Sequence, residues 1–135
     1  MKKVVVDTNI LFSALLRFPN AYANAIFEED IAFYTPHFVI VELFKHKERI
    51  IQRSNLSETD ILEILYRLIK NIHLVSEENI SNISWKSAYQ LTHNIDIKDT
   101  PFVALAIELE AELWSSDKKL KNHLTKNGFQ NFFEL

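Results

Sequence analysis

The stretch Val4-Val5-Val6-Asp7-Thr8-Asn9-Ile10 decides how this chain is read. Three β-branched apolar residues favour a strand, and their lack of alternation fits one buried on both faces. The run stops at an acid, and from Ile10 to Arg17 the pattern turns helical. A buried strand leading straight into a helix is the opening of an α/β unit.

Working outward, Asn20–Glu29 reads as a second helix and Ala32–Thr35 as a second strand. Pro36 then precedes one long helix from about His37 to Ser54. Ser57 opens another helix, its hydroxyl placed to cap backbone N–H groups, with Ile61, Leu62, Ile64, Leu65, Leu68 and Ile69 at helical spacing. Ile72–Val75 is a third strand. Ser81–His93 carries Trp85, Ala88, Tyr89 and Thr92 on one helical face. Thr100-Pro101 starts an almost wholly apolar helix running to Ala111, since proline fits a first turn. Leu113–Ser115 is a fourth strand, Lys118–Lys126 a last helix stopped by Asn127-Gly128, and Phe132–Leu135 an edge strand. The alternation predicts an α/β three-layer sandwich, with a central parallel sheet of four to five short strands flanked by helices.

The 135 residues suffice for one core, so residues 1–135 are expected to form a single domain. The absence of cysteine excludes disulfides and thiolate metal sites. No stretch approaches the roughly 18 apolar residues that span a bilayer, and the valine run is too short for a signal peptide. A cytoplasmic protein with no membrane contact is expected. The formal net charge of −3 provides no global basic field for nucleic acid.

Parallel sheets bind ligands at the carboxyl ends of their strands, which directs attention to Asp7 and to Asp117 in Ser115-Ser116-Asp117-Lys118. Asp99 stands just before the Thr100 helix. Each of these acids alone reads equally as a helix cap. Glu42 does not, because it lies inside a helix among Val41, Leu43 and Phe44. It is either part of a polar stripe, paired with His46 one turn on, or a ligand. If the fold gathers these four acids, like charges about 4 Å apart repel by roughly 4 kcal/mol at an effective dielectric near 20. Such a cluster protonates or holds a cation. With oxygen ligands only, the cation is Mg²⁺ or Mn²⁺, suited to activating water against a phosphodiester.

The segments "VVVDTNILFSALL" (4–16), "FVIVELFKHK" (38–47), "DIKDTPFVALAIELEAELWSSDKKL" (96–120) and "NGFQNFFEL" (127–135) together resemble the PIN domain, a metal-dependent ribonuclease fold. The likeness runs from Lys3 to Leu135. It implies that Asp7, Glu42, Asp99 and Asp117 form an acidic metal-binding quartet. Thr8 and Asn9 match the polar pair after the first acid, Ser115 the hydroxyl residue before the last, and Asp96 an auxiliary acid. The match departs at Glu110-Ala111-Glu112, where the family usually has a glycine. The resemblance further implies RNA as substrate, cleaved endonucleolytically to a 5′-phosphate and a 3′-hydroxyl. Small members often act as toxins of toxin–antitoxin pairs and dimerise, which implies a cognate antitoxin and a homodimer as partners. A non-catalytic RNA- or protein-binding scaffold is the alternative.

Two basic clusters adjoin the acids: Lys45, Lys47, Arg49 and Arg53 after Glu42, and Lys118, Lys119 and Lys121 after Asp117. They read as phosphate contacts or as solvated helix faces. A signalling receiver would need adjacent acids after the first strand, and a dehalogenase-type phosphatase an acid at position 9. Thr8-Asn9 fits neither.

Overall fold

Val4, Val5 and Val6 are fully buried, and β1 (Lys2–Val6) runs through the interior of the sheet. The computed structural model describes residues 1–28 and 30–135. β1 pairs with β2 (Ile31–Pro36) on one side and β4 (Glu112–Trp114) on the other. β3 (Ile72–Val75) pairs with β2, and every pairing is parallel. The order is therefore β3-β2-β1-β4.

The helices are α1 (Thr8–Leu16), α2 (Ala21–Ile26), α3 (Phe38–Lys45), α4 (Lys47–Arg53), α5 (Glu58–Lys70), α6 (Asn82–Thr92), α7 (Thr100–Leu109) and α8 (Lys118–Lys126). From β1 to β3 the chain steps one way across the sheet, then jumps back past β1 to β4. Right-handed crossovers thus put α1–α5 on one face and α6–α8 on the other. The expected three-layer α/β sandwich is the observed one. On the second face Phe102 to Ala106 of α7 are all buried, with α7 against β1 and β2 and α6 backing it. In α5 the Ser57 hydroxyl accepts from Asp60 N at 3.2 Å, and Ile61, Ile64 and Leu68 form the buried stripe. Truncating a fully buried leucine such as Leu68 to alanine costs about 2–5 kcal/mol.

Four local readings change. The helix expected over 37–54 is two helices, broken at His46 (φ −104°, ψ 14°). No glycine or proline causes the break. His46 closes α3 through its N–H to Glu42 O at 3.1 Å, while its ring meets the Phe12 edge of α1 at 5.5 Å, so packing sets the bend. The second helix ends at Ile26, and Glu29 lies outside the described residues. Strand β4 starts and stops one residue before the expected 113–115. Phe132 makes only an isolated parallel bridge to Leu113, because β4 is three residues long and Leu113 alone pairs with Asn131 and Phe133.

Helix α7 ends on Glu110, which is left-handed (φ 52°, ψ 42°). Ala111 N donates to Ala106 O at 2.9 Å, the bond that closes a helix with a left-handed residue. The turn thus keeps a glycine-type backbone with a glutamate in it.

Candidate functional site

The chain reverses direction across the sheet between β1 and β4, and open α/β sheets present their crevice there. Asp7 leaves β1 at that point, its N–H held by Trp114 O of β4 at 3.0 Å. Asp7 is 6% exposed, and its carboxylate is nearly saturated with donors. Oδ1 accepts from Thr8 N at 2.8 Å. Oδ2 accepts from the Ser115 hydroxyl at 2.8 Å and from Asn9 Nδ2 at 3.3 Å. Ser115 Oγ in turn accepts from Asp117 N at 3.1 Å, and Asn9 Oδ1 from Ser116 N at 3.2 Å. Thr8, Asn9 and Ser115 therefore knit the loop after β1 to the loop after β4.

Asp117 also caps α8, its Oδ1 accepting from Leu120 N at 3.1 Å. Glu42 reaches the group from α3. Its Oε1 accepts the Thr8 hydroxyl proton across 2.6 Å, and its bond is to Thr8 rather than to His46. The apolar neighbours do not bury it: Val41 is 57% and Phe44 75% exposed, and only Leu43 turns inward. His37 does not cap α3.

Asp99 ends a one-turn 3₁₀ segment (Ile97–Asp99) at the start of α7 and makes no capping bond. Among the described residues neither of its oxygens accepts a hydrogen bond, and no buried side-chain oxygen is left without a partner, so both face open space. Asp96, which is exposed, shapes that segment: its Oδ1 accepts from Lys98 N at 2.9 Å and its carbonyl from Asp99 N at 3.0 Å. Behind it the Thr92 and Thr100 hydroxyls lie 2.6 Å apart, buried. Thr92 spends its proton on Ala88 O at 2.8 Å, so Thr100 is the donor of the pair.

Burial, followed by the charges of Asp7, Asp96, Asp117 and Glu42, pushes the Asp99 carboxyl up to about 7. Burial also raises Asp7, to about 6, against the lowering effect of the Ser115 and Thr8 bonds and with added repulsion from Glu42 and Asp117. The four acids thus stand in one another's field, and no lysine or arginine counters it at either carboxyl. Among the described residues, no three Asp, Glu, His or Cys side chains form a ready-made chelate. The donor set nevertheless fits a hydrated hard cation: it is all oxygen, and Asp99 has no competing donor.

The basic residues separate into two groups. Lys45, Lys47 and Arg49 are exposed, and Lys47 lies 5.6 Å from the Phe44 ring, lining an apolar groove with Leu15 and Ile50. Lys118 lines a cavity with Ser115, Ser116, Tyr22 and Trp114 that none of the four acids lines, Lys119 is exposed, and Lys121 pairs with Glu134 at 2.8 Å. Sequence reasoning missed Glu77, whose Oε2 accepts from Phe38 N at 2.7 Å and so caps the helix that carries Glu42. Its partner is 39 residues away, beyond the reach of any local capping pattern.

A family model described as PIN domain matches residues 5–128. No curated protein matches the chain. Among solved structures, one described as "Crystal structure of VapBC2 from Rickettsia felis bound to a DNA fragment from their promoter" superposes with a TM-score of 0.67. It is 16% identical, and the match covers 89% of this chain and 92% of that one. At that identity the likeness is one of fold. It reproduces the helix-flanked parallel sheet described above.

Proposed function

The chain belongs to the PIN domain family, whose members are typically nucleases, and from that membership we propose a divalent-metal-dependent endoribonuclease. What supports this reading is the mutual repulsion among Asp7, Glu42, Asp99 and Asp117 near the β1–β4 switch point, with no lysine or arginine of the described residues offsetting it at Asp7 or Asp99.

Asp99 and the second oxygen of Asp117 would hold Mg²⁺ or Mn²⁺, with Asp7 and Glu42 shaping and charging the cradle. When bound, such an ion supplies activated water and offsets charge developing at phosphorus. Ser115 and Asn9 fix the Asp7 carboxylate, and Thr8 fixes that of Glu42, so neither swings away when a phosphate arrives. Lys118 and Lys119, next in sequence to Asp117, serve in this reading as phosphate contacts. Lys45, Lys47 and Arg49 serve as more distant backbone contacts. Water attacks the phosphorus and the 3′-oxygen leaves, giving a 5′-phosphate and a 3′-hydroxyl without a covalent enzyme intermediate.

Residues 1–135 form a single cytoplasmic domain in this reading, and no helix of the described residues is long and apolar enough to cross a membrane. Likeness to a VapBC2 structure supports a toxin-type role with a cognate antitoxin. The exposed Val41 and Phe44 of α3 and Leu62 and Tyr66 of α5 supply apolar surface for that protein or for a homodimer.

The test is cleavage of a mixed RNA pool with Mg²⁺, with Mn²⁺ and with EDTA, comparing the parent with Asp7→Asn and Asp99→Asn. Metal-dependent cleavage lost in both variants supports the reading. RNA that is bound but never cut by the parent would instead favour the non-catalytic scaffold.

A further inference from the structure

α6 and the start of α7, the helix that Asp99 precedes, border an open cleft of about 460 Å³ that the nuclease reading leaves unused. Trp85, Tyr89 and Ile97 give it apolar walls, and Lys86 and Gln90 give it polar ones. Tyr89 is 49% and Ile97 61% exposed, unusual for large apolar side chains lining one concavity. The Tyr89 ring is not loose. It stacks on His93, one turn along α6, with centroids 4.9 Å apart and planes 17° from parallel. A ring held flat against a neighbour is a rigid platform with little side-chain freedom left to lose on binding.

The location gives the platform a meaning. Thr100 and Pro101, which complete the lining, directly follow Asp99. The Thr92–Thr100 hydroxyl pair locks α6 to that same turn, so the cleft and the acid keep a fixed relation. The acidic centre itself repels phosphates unless a cation is bound. Stacking adds affinity that does not depend on charge, and an aromatic platform with one lysine beside it supplies both that and a phosphate contact for an unpaired base.

We propose that the Trp85–Tyr89–Ile97 cleft is a nucleobase subsite, in which an unpaired base flanking the scissile phosphate stacks on Tyr89. This rests on the ribonuclease reading and deepens it, naming single-stranded RNA as the substrate class. Duplex bases are already stacked on each other and cannot enter. Lys86 takes the phosphate next to the stacked base, and Gln90 faces its polar edge.

The experiment measures binding of a fluorescein-labelled oligouridylate by anisotropy in Mg²⁺, using Asp99→Asn protein so that the probe survives. Adding Tyr89→Ala should weaken binding about tenfold, the low-to-middle range for loss of one base–aromatic stack. Tyr89→Phe should restore it. An oligomer of abasic sugar-phosphate, and a blunt RNA duplex, should bind weakly and be indifferent to residue 89. Equal melting temperatures of the three proteins exclude a folding effect. Unchanged affinity in Tyr89→Ala, or an equal loss for the abasic probe, overturns the subsite. Cleavage by the parent that depends on Asp99 but not on Tyr89 overturns it while leaving the nuclease standing. Binding that depends on Tyr89 without any cleavage by the parent upholds the subsite and removes the nuclease. Failure of the oligouridylate to bind overturns the subsite outright.

Discussion

Thr8 Oγ1 donates to Glu42 Oε1 across 2.6 Å, joining the first residue of α1 to the middle of α3. A hydroxyl–carboxylate bond of that length is charge-assisted and among the stronger side-chain bonds. It explains a glutamate in an apolar segment: α3 presents Glu42 to the crevice, and Thr8 holds it there. Thr8→Val keeps the shape and removes the donor. Cleavage should fall about tenfold in kcat/KM, equivalent to about 1.4 kcal/mol, with Thr8→Ser near the parent. Steady-state kinetics on a labelled RNA decides it. A valine variant as active as the parent would detach Glu42 from the chemistry.

Metal-free stability should depend on pH through Asp7 and Asp99. Both bind protons more tightly folded, at about 6 and about 7, than the ordinary carboxyl at 3.8. Between about pH 4 and 7 the folded chain keeps protons that the unfolded chain has lost, so stability falls as pH rises through that window. In EDTA the melting temperature should drop by several degrees from pH 5 to pH 8, and Asp99→Asn should flatten the drop. Excess Mg²⁺ or Mn²⁺ at pH 8 should raise the parent more than that variant, because a ligand of the folded form stabilises it by mass action. A parent whose apo stability rises from pH 5 to pH 8 would contradict the charge arrangement.

Glu77 acts on α3 from a distance. Removing its bond to Phe38 N by Glu77→Ala should cost about 0.5–2 kcal/mol, the usual worth of a helix N-cap. Thermal unfolding reads the loss. Activity should fall as well, because the capped helix carries Glu42, whereas a purely peripheral contact would leave the cleavage rate intact.

Glu110→Gly should stabilise the protein. A non-glycine residue in the left-handed region costs roughly 1–2 kcal/mol, partly offset by the greater freedom that glycine has when unfolded. A net gain of about 0.5–1 kcal/mol in urea unfolding is expected, with cleavage unchanged, since the turn lies at the amino end of β4. A destabilised glycine variant would mean that the Glu110 side chain has a role beyond its backbone.

The fold was legible where composition alone commits the backbone. Val4–Val6, Ile72–Val75 and Lys118–Lys126 needed only β-branching, length and periodicity, and all three lie where the pattern puts them. Asp7 and Asp117 could be singled out because strand ends in a parallel sheet are restricted places. The break at His46 was not legible, since the edge contact with Phe12 that accompanies it comes from another helix. Nor was the exposure of Val41 and Phe44: both flank Glu42 in an apolar segment, yet only Val39 and Leu43 of α3 are buried. Tyr89 and His93 stand at i and i+4, but the cleft that Tyr89 shares with Thr100 depends on how α6 meets α7.

Ser115 and Asp7 are 108 residues apart in sequence, and their bond forms only after β4 has docked beside β1. A nascent chain that has cleared the ribosome only through α7 already carries Asp7, Glu42 and Asp99. It lacks the fourth acid and the hydroxyl that ties the first to it. On the nuclease reading proposed above, competence therefore arrives only with the closing of the sheet at β4, and a chain stalled before that strand has no assembled centre.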